Sequence, residues 1–322
     1  MRSKDGNYCP ALYELILRNH RLIGATCVGL SRKKIGLDRT SFDLVIVDEA
    51  GKALPAEMLI PLLRAKKAII IGDHKQLPPV INPVLYDSET IDLEDRIVSE
   101  NELFAHSFFE RLFENAPDSC KGMLDTQYRM PAVIGSAISE LFYEGKLKNG
   151  QGTDSREPVL FPSCLSFIDY EKWDDYREEN DNQGSVINRK EAFEAFTIVN
   201  RIKQKDPKCK IAVITPYKGQ KRLIRETFEQ HRVRFSEKKI EIDTIDSFQG
   251  SEADVVIFCT TRSEKPTPFF RDSKRINVAL SRPRKELIIL GKMKYFNKYD
   301  RSDSCLPALA DYIMKNGNVV SR

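Results

Sequence analysis

FDLVIVDEAGKALPAEMLIPLLRAKKAIIIGDHKQLPP, residues 42 to 79, holds two short Val- and Ile-rich runs with polar groups at their ends. The runs, Asp43–Val47 and Ala68–Ile71, have the length and composition of parallel strands covered on both faces. In open α/β sheets, ligands lie beyond the carboxyl ends of such strands. Asp48, Glu49, Asp73 and Gln76 are therefore expected at one crevice. An Asp-Glu pair after a strand suits nucleoside triphosphate hydrolysis, one carboxylate for Mg²⁺ and one to activate or orient water. Gln76 is a neutral donor and acceptor suited to reading a γ-phosphate, and Pro78 and Pro79 stiffen the exit.

The rest of the chain extends this alternating pattern. Apolar runs at Leu22–Val28, Cys164–Ile168, Ile211–Ile214, Ile240–Ile242, Val255–Cys259 and Leu287–Leu290 read as further strands. Helical patterns cover Leu103–Phe113 and Asn188–Ile202. In the second, Asn188 and Glu191 make a capping box, and Ala192, Phe193, Phe196, Val199 and Ile202 form the apolar stripe. The expected architecture is two doubly wound α/β units, residues 1–119 and 120–322, with residues 82–102 an acidic surface insertion.

Composition narrows the class. The 322 residues are 41% hydrophobic and 30% charged, as in ordinary globular proteins. No apolar run approaches the roughly 20 residues that span a bilayer, and the first ten residues hold no apolar signal core. A cytoplasmic protein without a membrane partner is expected. The seven cysteines include no CxxC and the four histidines no metal-type spacing, so reduced thiols and no structural metal are expected. Net charge is +4, with acid concentrated at 87–102 and 171–181 and base at 231–239 and 271–285. Such blocks permit a local track for a polyanion, or are merely solvated faces.

Six stretches in order, DEAG (48–51), GDHKQLPP (72–79), LDTQYRMP (124–131), TPYKGQ (215–220), TIDSFQGSEADVVIF (244–258) and NVALSRPRK (277–285), resemble the motifs of superfamily 1 helicases. The resemblance is to the branch of the nonsense-mediated-decay helicase, Sen1 and the Dna2-like enzymes. It implies two RecA-like parallel-sheet domains of the P-loop NTPase type, with ATP and Mg²⁺ bound between them. It also implies an ATP-dependent DNA or RNA helicase that moves along a single strand, 5′ to 3′ in this branch. By position, Asp48 would hold Mg²⁺, Glu49 activate water and Gln76 sense the γ-phosphate. Arg129 and Arg282 would meet the charge on the transferring phosphoryl group, Tyr128 would pack against the base and Glu252 would contact the ribose. Gly250 would permit a tight turn or close ligand approach. Thr26, Thr215, Thr244 and Ser247 would hold phosphates of the strand, or else satisfy local backbone groups.

Two departures from the motifs are small: Pro283 and Lys285 in the last motif, and Gly51 in DEAG. One is large. No GxxxxGK[ST] occurs, so the loop that cradles phosphates is missing and the first domain reads as incomplete at its N-terminus. Two main expectations follow. The chain is a helicase portion needing a phosphate-loop segment, on a separate chain or displaced from its reading frame; or it is a nucleic-acid-binding or regulatory protein with little ATPase activity. A truncated first sheet also implies an open strand edge and bare apolar surface.

Overall fold

The FDLVIV run forms β1 (Phe42–Val47), and the chain returns through α2 (Pro55–Leu62) to the parallel strand β2 (Ala65–Ile70), which places Phe42 opposite Ala65 and Val47 opposite Ile70. The computed structural model describes residues 10–33, 36–79, 107–232, 239–248 and 250–322. The acidic segment 82–102 and most of the basic block 231–239 lie outside them. The chain divides into two units, Met1–Gly122 and Met123–Arg322.

In the first unit, α1 (Pro10–Asn19) precedes β1 and α3 (Phe108–Asn115) follows β2. Helix α2 starts with Pro55, whose fixed φ suits a first turn, and the Leu54 amide donates to the Glu57 carboxylate at 3.1 Å. Helix α3 is capped by Ser107, whose hydroxyl accepts from the Glu110 amide. Alternation sends Val45, Val47 and Ile70 to one face, against Met58, Leu62, Phe109 and Phe113. The opposite face carries Leu44, Ile46, Ile69 and Ile71, which are 46%, 58%, 48% and 40% exposed. The expectation of strands covered on both faces is thus corrected to cover on one. That face is about half exposed, whereas Val47 on the other is 4% exposed. Leu22–Val28 also departs from expectation. It forms no strand, because no neighbour among the described residues offers it a ladder, and Leu22 stays 89% exposed.

The second unit is built on six parallel strands, β5 (Leu165–Asp169), β6 (Ile211–Thr215), β7 (Ile240–Thr244), β8 (Ala253–Cys259), β9 (Pro283–Gly291) and β10 (Asn318–Ser321). Two short strands, β3 (Thr126–Gln127) and β4 (Lys148–Asn149), pair separately. The six-stranded order is β10-β5-β9-β8-β6-β7. Edge strand β10, short and half polar, has no apolar run to mark it in the sequence. The other five occur where apolar runs predict them. One sheet face packs on α5 (Arg189–Lys205) and α6 (Lys218–Gln230), where Val213, Ile257 and Ile288 meet Ala195, Ile198, Val199 and Ile224. The other face meets aromatic rings, with Phe167 against Phe296 and Phe258 against Phe270. In α5 the stripe is Ala192, Ala195, Ile198, Val199 and Ile202. Phe193 is 45% exposed and Phe196 lies at its flank against His231, which corrects the expected stripe by one helical step. Helices α4 (Ala132–Phe142), α7 (Ser273–Leu280) and α8 (Leu306–Asn316) also belong to this unit. No helix among the described residues is long and apolar enough to cross a membrane.

The contrast between one covered face and two sets the order of opening. Amides of β1 and β2 are expected to exchange with solvent hydrogen faster than those of β6 and β8. Equal protection of the two sheets in native-state exchange would overturn this.

Candidate nucleotide site and nucleic-acid edge

Beyond β1 the chain turns at Glu49, which has φ 54° and ψ 34°, a left-handed conformation uncommon for a residue with a side chain. The Glu49 amide donates to Asp48 Oδ1 at 2.9 Å, and both carboxylates are exposed. The ladder continues past the strands, with the Ile71 amide on the Val47 carbonyl and the Ala50 amide on the Ile71 carbonyl. A Cβ on Gly51 would lie 3.1 Å from the Asp73 carbonyl oxygen, and one on Gly72 would lie 2.8 Å from the Gly51 nitrogen. Glycine at both positions lets the DEAG and GDHKQ loops touch. Asp73 organises its own turn: Oδ1 accepts from the Lys75 amide and Oδ2 from the Gln76 side-chain amide at 2.7 Å. Asp48, Glu49 and Gln76 therefore share the carboxyl edge of this sheet, with Asp73 as the brace behind Gln76.

These residues fit a magnesium ion held in part by water and nucleotide oxygens. No group of three or more His, Cys, Asp or Glu residues among the described ones could hold a metal ion by itself, and one or two carboxylates are the usual protein share of a magnesium site. Thr26 faces a local task, its hydroxyl accepting from the Gly29 amide at 3.0 Å, which is the backbone-satisfying alternative.

In the second unit, Tyr128 is 62% exposed. Its ring lies on Gly150, where a Cβ would sit 2.2 Å from a ring carbon. Gln127 braces the turn by accepting from the Met130 amide and donating to Asn149 at 2.7 Å. Arg129 pairs with Glu252 at 3.2 Å, and the same carboxylate takes Arg284 at 3.1 Å. Arg156 joins the two motifs. Its Nη1 donates to the Arg129 and Arg284 carbonyls at 2.6 and 2.7 Å, and its Nη2 to the Tyr128 carbonyl at 2.6 Å. Arg282 is 3% exposed, with its Nε on the Val278 carbonyl at 3.0 Å. The geometry thus brings Tyr128, Arg129, Glu252 and the Arg284 strand together, with Arg282 held inward. Gly150 and Arg156 carry no local sequence signal. A lone Gly and a lone Arg in a loop are unremarkable until the fold brings residue 156 to residue 284.

The carboxyl edge of the larger sheet holds the remaining candidates. Thr215 is fully buried, its hydroxyl 3.0 Å from that of Thr261; Thr244 is 7% exposed, and its hydroxyl donates to Ser247 Oγ at 3.1 Å. Both stand behind the surface with hydroxyl partners of their own, nearer to the locally satisfied alternative, whereas Ser247 is exposed. Gly250 has φ 84°, which meets the expectation of a turn needing glycine. The hub beneath this edge is Glu191. Its buried carboxylate accepts from Tyr176 Oη at 2.6 Å, the Thr261 amide at 2.8 Å, Thr261 Oγ1 at 3.0 Å and Gln220 Nε2 at 2.9 Å. Burial pushes its pKa up to about 7, against the pull of those donors. The sequence marks Glu191 as a helix cap and gives no hint of the hub.

Residues 104–294, more than half of the chain, match a family profile described as an AAA domain, and residues 5–82 match a second of the same description. The chain is 34% identical over 286 residues to the ATP-dependent helicase NAM7 of Saccharomyces cerevisiae, covering 86% of this chain and 28% of that protein. It is 32% identical to an uncharacterised ATP-dependent helicase of Methanocaldococcus jannaschii, covering 78% of this chain and 36% of the relative. With the helicase sen1 of Schizosaccharomyces pombe it shares 31% identity over 87% of this chain and 16% of the relative. The chain therefore spans about a third or less of each of these relatives. The motif order, the six-stranded parallel sheet and these matches lead to one assignment: the chain belongs to the AAA-domain family, in the superfamily 1 helicase branch of NAM7/UPF1 and Sen1.

Proposed function

We propose that the first unit supplies the magnesium, water and sensor groups of an ATP site, and that the second supplies its arginines and a surface for single-stranded DNA or RNA. The supporting observation is the close packing of the DEAG and GDHKQ loops at Gly51 and Asp73, which sets Asp48, Glu49 and Gln76 at one sheet edge. In this reading Asp48 holds Mg²⁺, and bound Mg²⁺·ATP supplies the γ-phosphoryl group for transfer to water. Glu49 takes a proton from the attacking water and Gln76 senses the γ-phosphate. Tyr128 packs its open face on the base, and Glu252 exchanges Arg129 for the ribose. Arg129 and Arg282 meet the spreading phosphoryl charge, Arg282 after leaving the Val278 carbonyl. The six described cysteines are all unpaired, in keeping with a reducing compartment, and we place the chain in the cytoplasm.

The cradle for the phosphates comes from a segment bearing GxxxxGK[ST], which this sequence lacks. ATP turnover by this chain alone is thus expected to be weak and unresponsive to single strands. Adding a polypeptide that carries the phosphate loop should restore stimulated turnover. Stimulated turnover from the chain alone would overturn the proposal. Strand affinity should persist without ATP and fall steeply with salt, as phosphate contacts require; a flat salt response would count equally against it.

A further inference from the structure

Since Thr215 and Thr244 lie behind the carboxyl edge of the larger sheet, other groups form its surface. Those groups are planar. Tyr217, just past β6, and Phe269, in the turn Pro268–Arg271, have ring centroids 5.9 Å apart. The Arg262 guanidinium carbon lies 5.3 Å from the Tyr217 centroid, and that of Arg275 lies 5.0 Å from the Phe269 centroid. All four side chains are half-buried, so each keeps part of its surface in solvent.

The arginines are fixed in place. Arg262 donates from Nη1 to Glu178 at 2.8 Å and from Nε to the Tyr217 hydroxyl at 3.0 Å. Arg275 pairs with Asp246 and Asp272, each at 3.3 Å. Asp246 adjoins Ser247, so the row borders that exposed hydroxyl. Each guanidinium has a carboxylate partner within the row. What the row offers a ligand is therefore flat π surface more than net charge.

We infer that Tyr217 and Phe269, flanked by Arg262 and Arg275, form a stacking platform for nucleobases, an inference that rests on the strand-binding reading above. Bases of any identity stack on such rings, so the platform grips a strand without reading its sequence. Its energetic signature differs from that of a phosphate contact: stacking contributes affinity without releasing counterions.

The test uses the full chain with oligo(dT) and oligo(U), each also made with one 2-aminopurine. Phe269→Leu and Tyr217→Leu keep apolar bulk and remove the π face. Each should weaken binding of both oligomers roughly 5- to 100-fold, at every salt concentration, with the slope against log salt unchanged. Tyr217→Phe, which keeps the π face and loses the hydroxyl held by Arg262, should bind more tightly than Tyr217→Leu. On wild-type protein, 2-aminopurine emission should change on binding, a readout that needs no variant. Wild-type binding with no emission change, or unchanged affinity in both Leu variants, would overturn the platform alone. A loss confined to one oligomer would place the contact on the sugar and also overturn it. Failure of the wild type to bind either oligomer would instead overturn the strand-binding reading itself.

Discussion

Replacing Glu49 by Gln is expected to lower ATP turnover by about a hundredfold or more in the chain complemented with a phosphate-loop segment, with nucleotide affinity nearly unchanged. Gln matches Glu in size, and the left-handed backbone at residue 49 is no harder for one than for the other. The Glu49 amide bond to Asp48 survives, so the metal side of the site keeps its geometry. What is lost is the base proposed for the attacking water. Arg129→Ala offers a contrast, since it removes the charge stabilisation proposed for Arg129 and leaves Glu252 to Arg284 alone. Single-turnover hydrolysis beside equilibrium nucleotide binding separates the two effects. Turnover of Glu49→Gln within a few fold of wild type would remove Glu49 from its assigned role.

The second large effect concerns Glu191. Ala at this position leaves four buried donors, from Tyr176, Gln220 and twice from Thr261, without their acceptor. The second unit should lose on the order of 4 kcal/mol of stability. Glu191→Gln gives a sharper measurement, because it cannot titrate. The folded-state pKa of about 7 lies above the ordinary 4.5, so between those values the folded chain keeps a proton that the unfolded chain has released. This contribution is full below pH 4.5, falls as pH rises to about 7 and is level beyond. Wild-type stability minus that of Glu191→Gln should therefore decline across this window by on the order of 3 kcal/mol. Glu286, also raised by burial, is present in both proteins and cancels. A difference that stays flat with pH in denaturant titrations would show that Glu191 does not carry the linkage.

Much of the larger sheet is legible in its apolar runs because its strands are covered on both faces, the condition under which an uninterrupted run of Val and Ile reports burial. In the first unit the same signal misleads. Leu44, Ile46 and Ile69 are as apolar as any core residue, yet each stays about half exposed. Leu22–Val28 errs for a related reason, since propensity cannot supply a missing partner strand. The shared sheet edge of Asp48, Glu49 and Gln76 is legible because they follow strand ends in one short stretch. The burial of Thr215 and Thr244 is not, because a strand-end hydroxyl looks the same in sequence whether it turns outward or inward. Arg156 and the Tyr217–Arg262 pair depend on contacts between residues far apart in the chain, and only the fold supplies those distances.

Arg156 has a mechanical consequence. One guanidinium bonded to the carbonyls of Tyr128, Arg129 and Arg284 fastens a turn to a distant strand. The two arginine-bearing motifs then travel as a single lever: a displacement that tilts the QYRM turn drags the strand behind SRPR with it, and neither can be retuned by mutation without the other registering the change.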